Sequence, residues 1–168
     1  MRPPAIPLDS LASLPVIYRA VIPPAYEDRN GHMNIRWYLA LFDEAGDAMY
    51  PMLGLTADYF ATSGMGGFDL EHHLWYPAEV RCGDAVVIRV RILARNSKLM
   101  HYLMFMENET QGVLSSIFEC MHSHADLIAR RTAPFPAHVA AKIDAFIAAH
   151  RALAWTAPVS GAMSIQTL

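Results

Sequence analysis

Apolar positions recur along the chain with two different periods, and the change between them falls near residue 67. From Asn34 onward, Tyr38, Leu41, Ala45, Ala48, Met49 and Met52 follow at three- and four-residue steps, while Arg36, Asp43 and Asp47 gather on the other side. That spacing predicts an amphipathic helix with one buried face, capped by the Asn34 side chain and ended by Pro51 or Gly54. After Gly67, alternation and β-branched runs take over. Residues 68–80, 84–95, 99–109 and 113–127 read as consecutive antiparallel strands, and the short breaks "RCG", "NSK" and "TQG" predict a meander for the last three. Before the helix, "VIYRAVI" (16–22) reads as a strand stopped by Pro23 and Pro24. The turn-rich stretch 54–67 holds a short helix in its middle, and Val139, Ile143, Phe146, Ile147 and Leu153 space out a terminal amphipathic helix within 134–153. One sheet must then bury one strongly apolar helix, so the fold class is α+β, an antiparallel sheet curled around a long central helix with a C-terminal peripheral helix. Residues 1–15 read as a loose lead-in, 16–155 as the domain and 156–168 as a tail.

Composition changes this picture in one respect. A chain of 168 residues forms one domain that buries roughly two thirds of its unfolded surface. With 54% hydrophobic and only 17% charged residues, either that core is large or a partner covers apolar surface, which points to a homo-oligomer. The net charge of −3, with no basic run longer than Arg130-Arg131, offers no footprint for nucleic acid. Cys82 and Cys120 read as buried thiols of a reducing compartment. No apolar stretch approaches the roughly 18 to 20 residues that span a bilayer, and prolines interrupt the start where a signal peptide is apolar. The expectation is a cytoplasmic protein that does not enter membranes.

The candidate chemistry lies in "AYEDRNGHMNIRWYLALFDEAGD" (25–47), where Asp28, Arg29, Asn30, Gly31 and His32 crowd the mouth of the most apolar helix. Unpaired first-turn amides and the positive end of the helix dipole favour negative charge there, and Gly31 keeps the approach open. Local preference allows a plainer reading, with Asp28 and Asn30 as turn formers and Asn34 as a cap alone. His122 and His124 share one face of a strand, and Glu71, His72 and His73 adjoin on another. His-x-His needs a third ligand that nothing designates, so these read as strand histidines with local hydrogen bonds, and neither metal nor cofactor is expected.

"DRNGHMN" followed by "WYLALFDEA" resembles the signature of hot-dog fold thioesterases of the 4-hydroxybenzoyl-CoA thioesterase type: an acid, two spacers, Gly-His-Val-Asn, then a Tyr-Leu helix carrying an acid. The resemblance runs over about residues 16–128. "EHHLWYPAEVRCGD" and "RRTAPFP" more narrowly resemble the betainyl-CoA thioesterases that partner carnitine dehydrogenase. Two positions depart from the pattern: Tyr26, where the family often has an earlier acid, and Ile35, where a second Asn is common. The resemblance implies hydrolysis of a short or polar acyl-CoA, with Asp28 as nucleophile or general base and the Ile35 backbone N–H at the oxyanion. It leaves His32 either bonding the thioester or holding the loop. Glu44 occupies the place where the family often has an acid, with a flanking charge or a dimer salt bridge as the alternative. Arg95 and Lys98, or Arg130 and Arg131, are the candidate cations for the phosphates of CoA. Trp37, Tyr38, Tyr59, Phe60, Trp75 and Tyr76 are the aromatics that would suit a quaternary ammonium, or else core. The family also implies a homodimer or homotetramer with sites completed by a neighbour. A non-catalytic acyl-CoA-binding regulator could share this fold, as do hot-dog dehydratases and hydratases, although their Asp-x-Asn-Pro-x-His motif is absent here.

Overall fold

A single helical turn, α1 (Leu8–Leu11), precedes the first strand and buries Leu11, with Leu14 buried just beyond it, so the lead-in is tied down by two leucines. The structure is a computed structural model and describes residues 6–165; positions 1–5 of the lead-in and 166–168 of the tail lie outside the described residues. Strand β1 (Val16–Val21) stops before Pro23 and Pro24, which remove two amide donors, and the chain turns through Pro24–Tyr26. Helix α2 (Ile35–Met49) follows, runs on as a 3-10 turn over Tyr50–Leu53, and ends at Gly54, whose φ of +87° suits a residue without Cβ. Asn34 caps α2 as its position predicts, its Oδ1 accepting the Arg36 amide at 3.2 Å. The turn-rich connection contains α3 (Ala57–Ser63), capped by Thr56 through the Tyr59 amide.

The remaining elements are β2 (Met65–Trp75), β3 (Ala85–Arg95), β4 (Leu99–Asn108), β5 (Val113–Asp126), β6 (Arg131–Thr132) and α4 (Ala137–Arg151). The strands form one sheet in the order β1-β3-β4-β5-β2, with β6 paired to β5. The meander β3-β4-β5 is the predicted one. Strand β2 instead lies beyond β5, and it ends at Trp75 rather than Val80, because Pro77 cannot donate to a ladder. The released stretch 76–84 becomes a connection. Short β6 had no signal of its own in the sequence. In the segment read as tail, Pro158 and Met163 are buried and the Ser160 amide donates to Glu119 Oε2 at 2.7 Å.

The chain divides into two units. One takes residues up to Ala48 with Leu74–Val90 and Met104–Phe118; the other takes Met49–His73, Arg91–Leu103 and Glu119 onward. Within the first, α2 lays Tyr38, Leu41, Phe42 and Ala45 inward. Phe42 stacks on Phe118 at 5.0 Å, a burial worth roughly 1.5–3 kcal/mol for one such ring. The connection 76–84 is anchored by Asp84, whose Oδ2 accepts from the Arg81 amide at 2.8 Å and from the Asn108 and Gln111 amides at 2.7 Å. Burial opposes the Asp84 charge, but these bonds outweigh it and lower its pKa.

Candidate active site

Residues 26–34 fold back on themselves before α2 begins. Glu27 and Met33 form an isolated antiparallel bridge, the Asp28 amide donates to the His32 carbonyl at 2.9 Å, and the Gly31 amide donates to the Asp28 carbonyl at 3.1 Å. Gly31 has φ of +78° and a Cβ there would meet nothing within 4 Å, so the handedness of the turn, not a neighbour, calls for glycine. Asp28 Oδ1 accepts the Asn30 amide at 2.7 Å, which pins a side chain that is only 16% exposed. The turn-forming role and a chemical role are therefore compatible in one residue.

Counting donors at the helix start isolates one amide. The Asn34 N–H goes to the Tyr26 carbonyl, the Arg36 N–H to Asn34 Oδ1, and the Trp37 N–H to the Asn34 carbonyl. The Ile35 N–H has no acceptor among the described residues, as expected of the first helical position. Asp28, His32 and Ile35 line a cleft of about 290 Å³, together with Tyr38 from α2 and with Tyr76 and Glu79 from the connection after β2. That connection is fastened to the motif: the Met33 amide donates to the Val80 carbonyl at 2.7 Å, and the Val80 amide donates to the Tyr38 hydroxyl oxygen at 3.0 Å. Burial raises the Tyr38 hydroxyl pKa, and the Val80 bond only partly offsets it. His32 Nδ1 lies 3.2 Å from the Met33 carbonyl and 3.8 Å from Asp28 Oδ1, so the carbonyl contact assigns the proton to Nδ1.

The other residues singled out in the sequence are placed differently. Glu44 sits on the exposed side of α2, where the Tyr18 hydroxyl donates to Oε2, and that bond is the main reason the Tyr18 pKa is pushed up to about 12. It does not line the cleft. Trp37 stacks on Tyr26 with centroids 3.8 Å apart, and the Trp75 carbonyl accepts from Ser116 Oγ; neither residue lines the cleft. In the second unit, Tyr59 pairs through its hydroxyl with His124 Nε2 at 2.8 Å, Arg95 makes a two-point ion pair with Asp144 at 2.7 and 2.5 Å, and Lys98 is exposed. Glu79 is the charged cleft residue that sequence reasoning missed, beside the apolar Met33 and Ala78. Its signal was Pro77, which marks 76–80 as connection rather than strand.

The second unit holds a separate cluster. Asp69 takes His122 Nδ1 on Oδ1 at 2.6 Å and His72 Nε2 on Oδ2 at 3.0 Å. One donor atom each from Asp69, His72 and Cys120 falls within 4.8 Å of the others, a spacing that could serve a metal. Both Asp69 oxygens are already engaged, however, and burial holds the Cys120 thiol far above its usual pKa and so neutral. Burial also opposes the Asp69 charge, but hydrogen bonds and charge from the two imidazoles hold its carboxyl well below the usual carboxylate range. A depressed folded pKa contributes stability that is fully present above the unfolded value, about pH 4, and is lost as pH falls toward the folded value. Urea melts are expected to show Asp69→Asn less stable than wild type at pH 6, with the gap closing below about pH 4; a gap that stays constant would contradict this. Gly67 lies beneath the same imidazole. A Cβ there would stand 2.4 Å from His122 Cε1 and 2.7 Å from the Tyr50 hydroxyl, so Gly67→Ala is expected to cost about 1–3 kcal/mol in the same melts. A second cavity, about 310 Å³, lies in this unit among Phe68, Leu70, Leu127, Arg130 and Arg131. No helix among the described residues is long and apolar enough to cross a membrane.

A sequence profile of the thioesterase-like superfamily matches residues 22–143. The betainyl-CoA thioesterase of Pseudomonas aeruginosa is 34% identical over 136 residues, which covers 81% of this chain and 86% of that protein. The L-carnitine dehydrogenase/betainyl-CoA thioesterase of Rhizobium meliloti is 29% identical over 129 residues, 77% of this chain but only 26% of that longer protein. Among solved structures, a hypothetical protein from Staphylococcus aureus in complex with CoA superposes with a TM-score of 0.80 at 21% identity, over 91% of this chain and 97% of that one.

Proposed function

The chain belongs to the thioesterase-like superfamily and has its hot-dog fold, and from that premise we propose that it hydrolyses a short or polar acyl-CoA to the free acid and CoA. The observation that carries the reading is that the Asp28 carboxylate and the unclaimed Ile35 amide open on one cleft. With the thioester carbonyl oxygen at the Ile35 N–H, the carbonyl carbon lies within reach of an oxygen supplied at Asp28. If Asp28 acts as general base, it takes one proton from water as the water oxygen bonds to the acyl carbon. The C=O electrons move onto the oxygen held by the amide. Collapse of that intermediate breaks the C–S bond, and the proton on Asp28 passes to the departing thiolate. If Asp28 attacks directly, its oxygen bonds to the acyl carbon as the C–S bond breaks and CoA leaves as thiolate; water then hydrolyses the acyl anhydride to the free acid and the Asp28 carboxylate, and the proton released passes to the thiolate. His32 then holds the loop through the Met33 carbonyl, and Asn34 keeps the helix start open by capping it from the side.

The reading extends to a homo-oligomer in the cytoplasm. Val21 and Leu39 are 67% and 42% exposed, apolar surface that a partner subunit would cover, and both cysteines are free thiols. The likeness to a protein solved with CoA supports a CoA ester as the ligand. Release of CoA thiol from a panel of short aliphatic, aromatic and betainyl esters tests the proposal. Turnover of at least one class is expected, whereas binding without any release would favour a regulator.

A further inference from the structure

A carbonyl oxygen that becomes an oxyanion has room for more than one hydrogen bond, and the start of α2 leaves a single amide free for it. The N–H groups of Asn34, Arg36 and Trp37 all have acceptors within the chain, so Ile35 alone faces the cleft with an unclaimed donor. Among the side chains of the cleft wall, Asp28 and Glu79 are carboxylates, and the His32 proton lies on Nδ1 toward the Met33 carbonyl. The side-chain donors that remain are two phenols, Tyr38 and Tyr76, packed edge to face with centroids 5.1 Å apart. They differ in how they are held. Tyr76 is 43% exposed, whereas Tyr38 is 5% exposed and has its oxygen fixed by the Val80 amide at 3.0 Å. That bond uses the Tyr38 oxygen as an acceptor only. Its own O–H hydrogen has no acceptor among the described residues, although a buried tyrosine hydroxyl ordinarily finds one. Burial also raises the pKa of this phenol, so it keeps its hydrogen through neutral pH.

We propose, resting on the hydrolase reading above, that the Tyr38 hydroxyl is a second oxyanion donor beside the Ile35 amide, and so a catalytic residue of this cleft. Tyr38 stands three positions after Ile35 on α2, which makes the two neighbours on the helix surface, and long helical side chains lean toward the helix start. Val80 improves the donor. An oxygen that already accepts an amide is polarised and gives a stronger bond from its own hydrogen. The same amide holds the phenol in place before substrate arrives, so little rearrangement is needed as charge develops. No proton is transferred at this residue: the O–H bonds the carbonyl oxygen while the C=O electrons rest there, and its hydrogen stays with Tyr38 when the C=O re-forms and the thiolate departs.

Tyr38→Phe is expected to lower the single-turnover rate of thioester hydrolysis by about 10²-fold, while the Kd of a non-hydrolysable acyl-CoA analogue changes by less than about threefold. Phenylalanine also strands the Val80 amide, so a second variant separates donation from support. Fluorotyrosine at position 38 is a better donor and a poorer acceptor than tyrosine. Its single-turnover rate is expected at or above that of wild type, whereas a hydroxyl that only anchors Val80 would give a lower one. A third readout needs no turnover: the infrared carbonyl stretch of the bound analogue, isotope-labelled at that carbon, is expected at lower frequency in wild type than in Tyr38→Phe. A Tyr38→Phe rate within about threefold of wild type, a fall with fluorotyrosine, an unchanged stretch, or a loss that appears in Tyr76→Phe instead would each overturn the assignment and leave the hydrolase reading standing. Wild type that releases CoA from no ester in the panel would sink that reading and the catalytic role of Tyr38 with it.

Discussion

Asparagine in place of Asp28 is expected to lower kcat/KM for the preferred thioester by about 10³-fold or more, while thermal melting stays within a few degrees of wild type. The two halves of this expectation come from different atoms. Asn retains an Oδ1 that can accept the Asn30 amide, the 2.7 Å bond that shapes the turn, so the loop and the helix start persist. What Asn lacks is basicity and negative charge, and it can neither take a proton from water nor attack a carbonyl. If Asp28 were only a turn former, the same substitution would leave turnover nearly intact. Steady-state CoA release and a thermal melt on one preparation separate the two roles.

Proline in place of Ile35 is expected to cost about 10²–10³-fold in kcat, the usual penalty for losing one oxyanion donor. Position 35 is the first residue of α2, where proline's fixed φ fits the helix and its missing N–H breaks no intrahelical bond. Asn34 before it serves as the cap, a position that ordinarily takes the extended backbone that a following proline requires. The substitution therefore removes a donor without removing a helix. Ile35→Ala is the matching control, because it keeps the amide and deletes only an exposed side chain. Activity of the alanine variant within a few-fold of wild type, beside a disabled proline variant, would place the effect on the backbone. A proline variant as active as the alanine one would exclude the amide.

How much of this was legible in the sequence depends on chain distance. The helix face from Tyr38 to Met49 and the Asn34 cap follow from periodicity and local hydrogen bonding, both properties of neighbouring residues. Asp28, His32, Ile35 and Tyr38 share the cleft because they lie within eleven positions of one another across a turn and the first turn of a helix. Glu79 was legible only through Pro77. It arrives from a stretch that reads as strand by its apolar content and becomes a connection because of Pro77, and its approach depends on Val80 bonding Met33 and Tyr38. Arg95, read at a hairpin as a candidate cation for phosphate, is engaged by Asp144 on α4, an ion pair across 49 positions that local sequence does not signal. Glu44 likewise finds its partner in Tyr18 on β1. The sheet order was half legible: hairpin-length breaks gave β3-β4-β5, but no turn joins β2 to β5, so the pairing of β2 had no local signature.

In the proposed reaction one carbonyl meets both the Asp28 carboxylate and the Ile35 amide. A crystal structure with a non-hydrolysable acyl-CoA analogue, its sulfur replaced by methylene, measures this directly. The analogue's carbonyl oxygen is expected about 3 Å from the Ile35 nitrogen, with an Asp28 oxygen, or a water bound to it, facing the carbonyl carbon. A carbonyl bound away from the start of α2, for instance in the cavity beside Arg130 and Arg131, would contradict it.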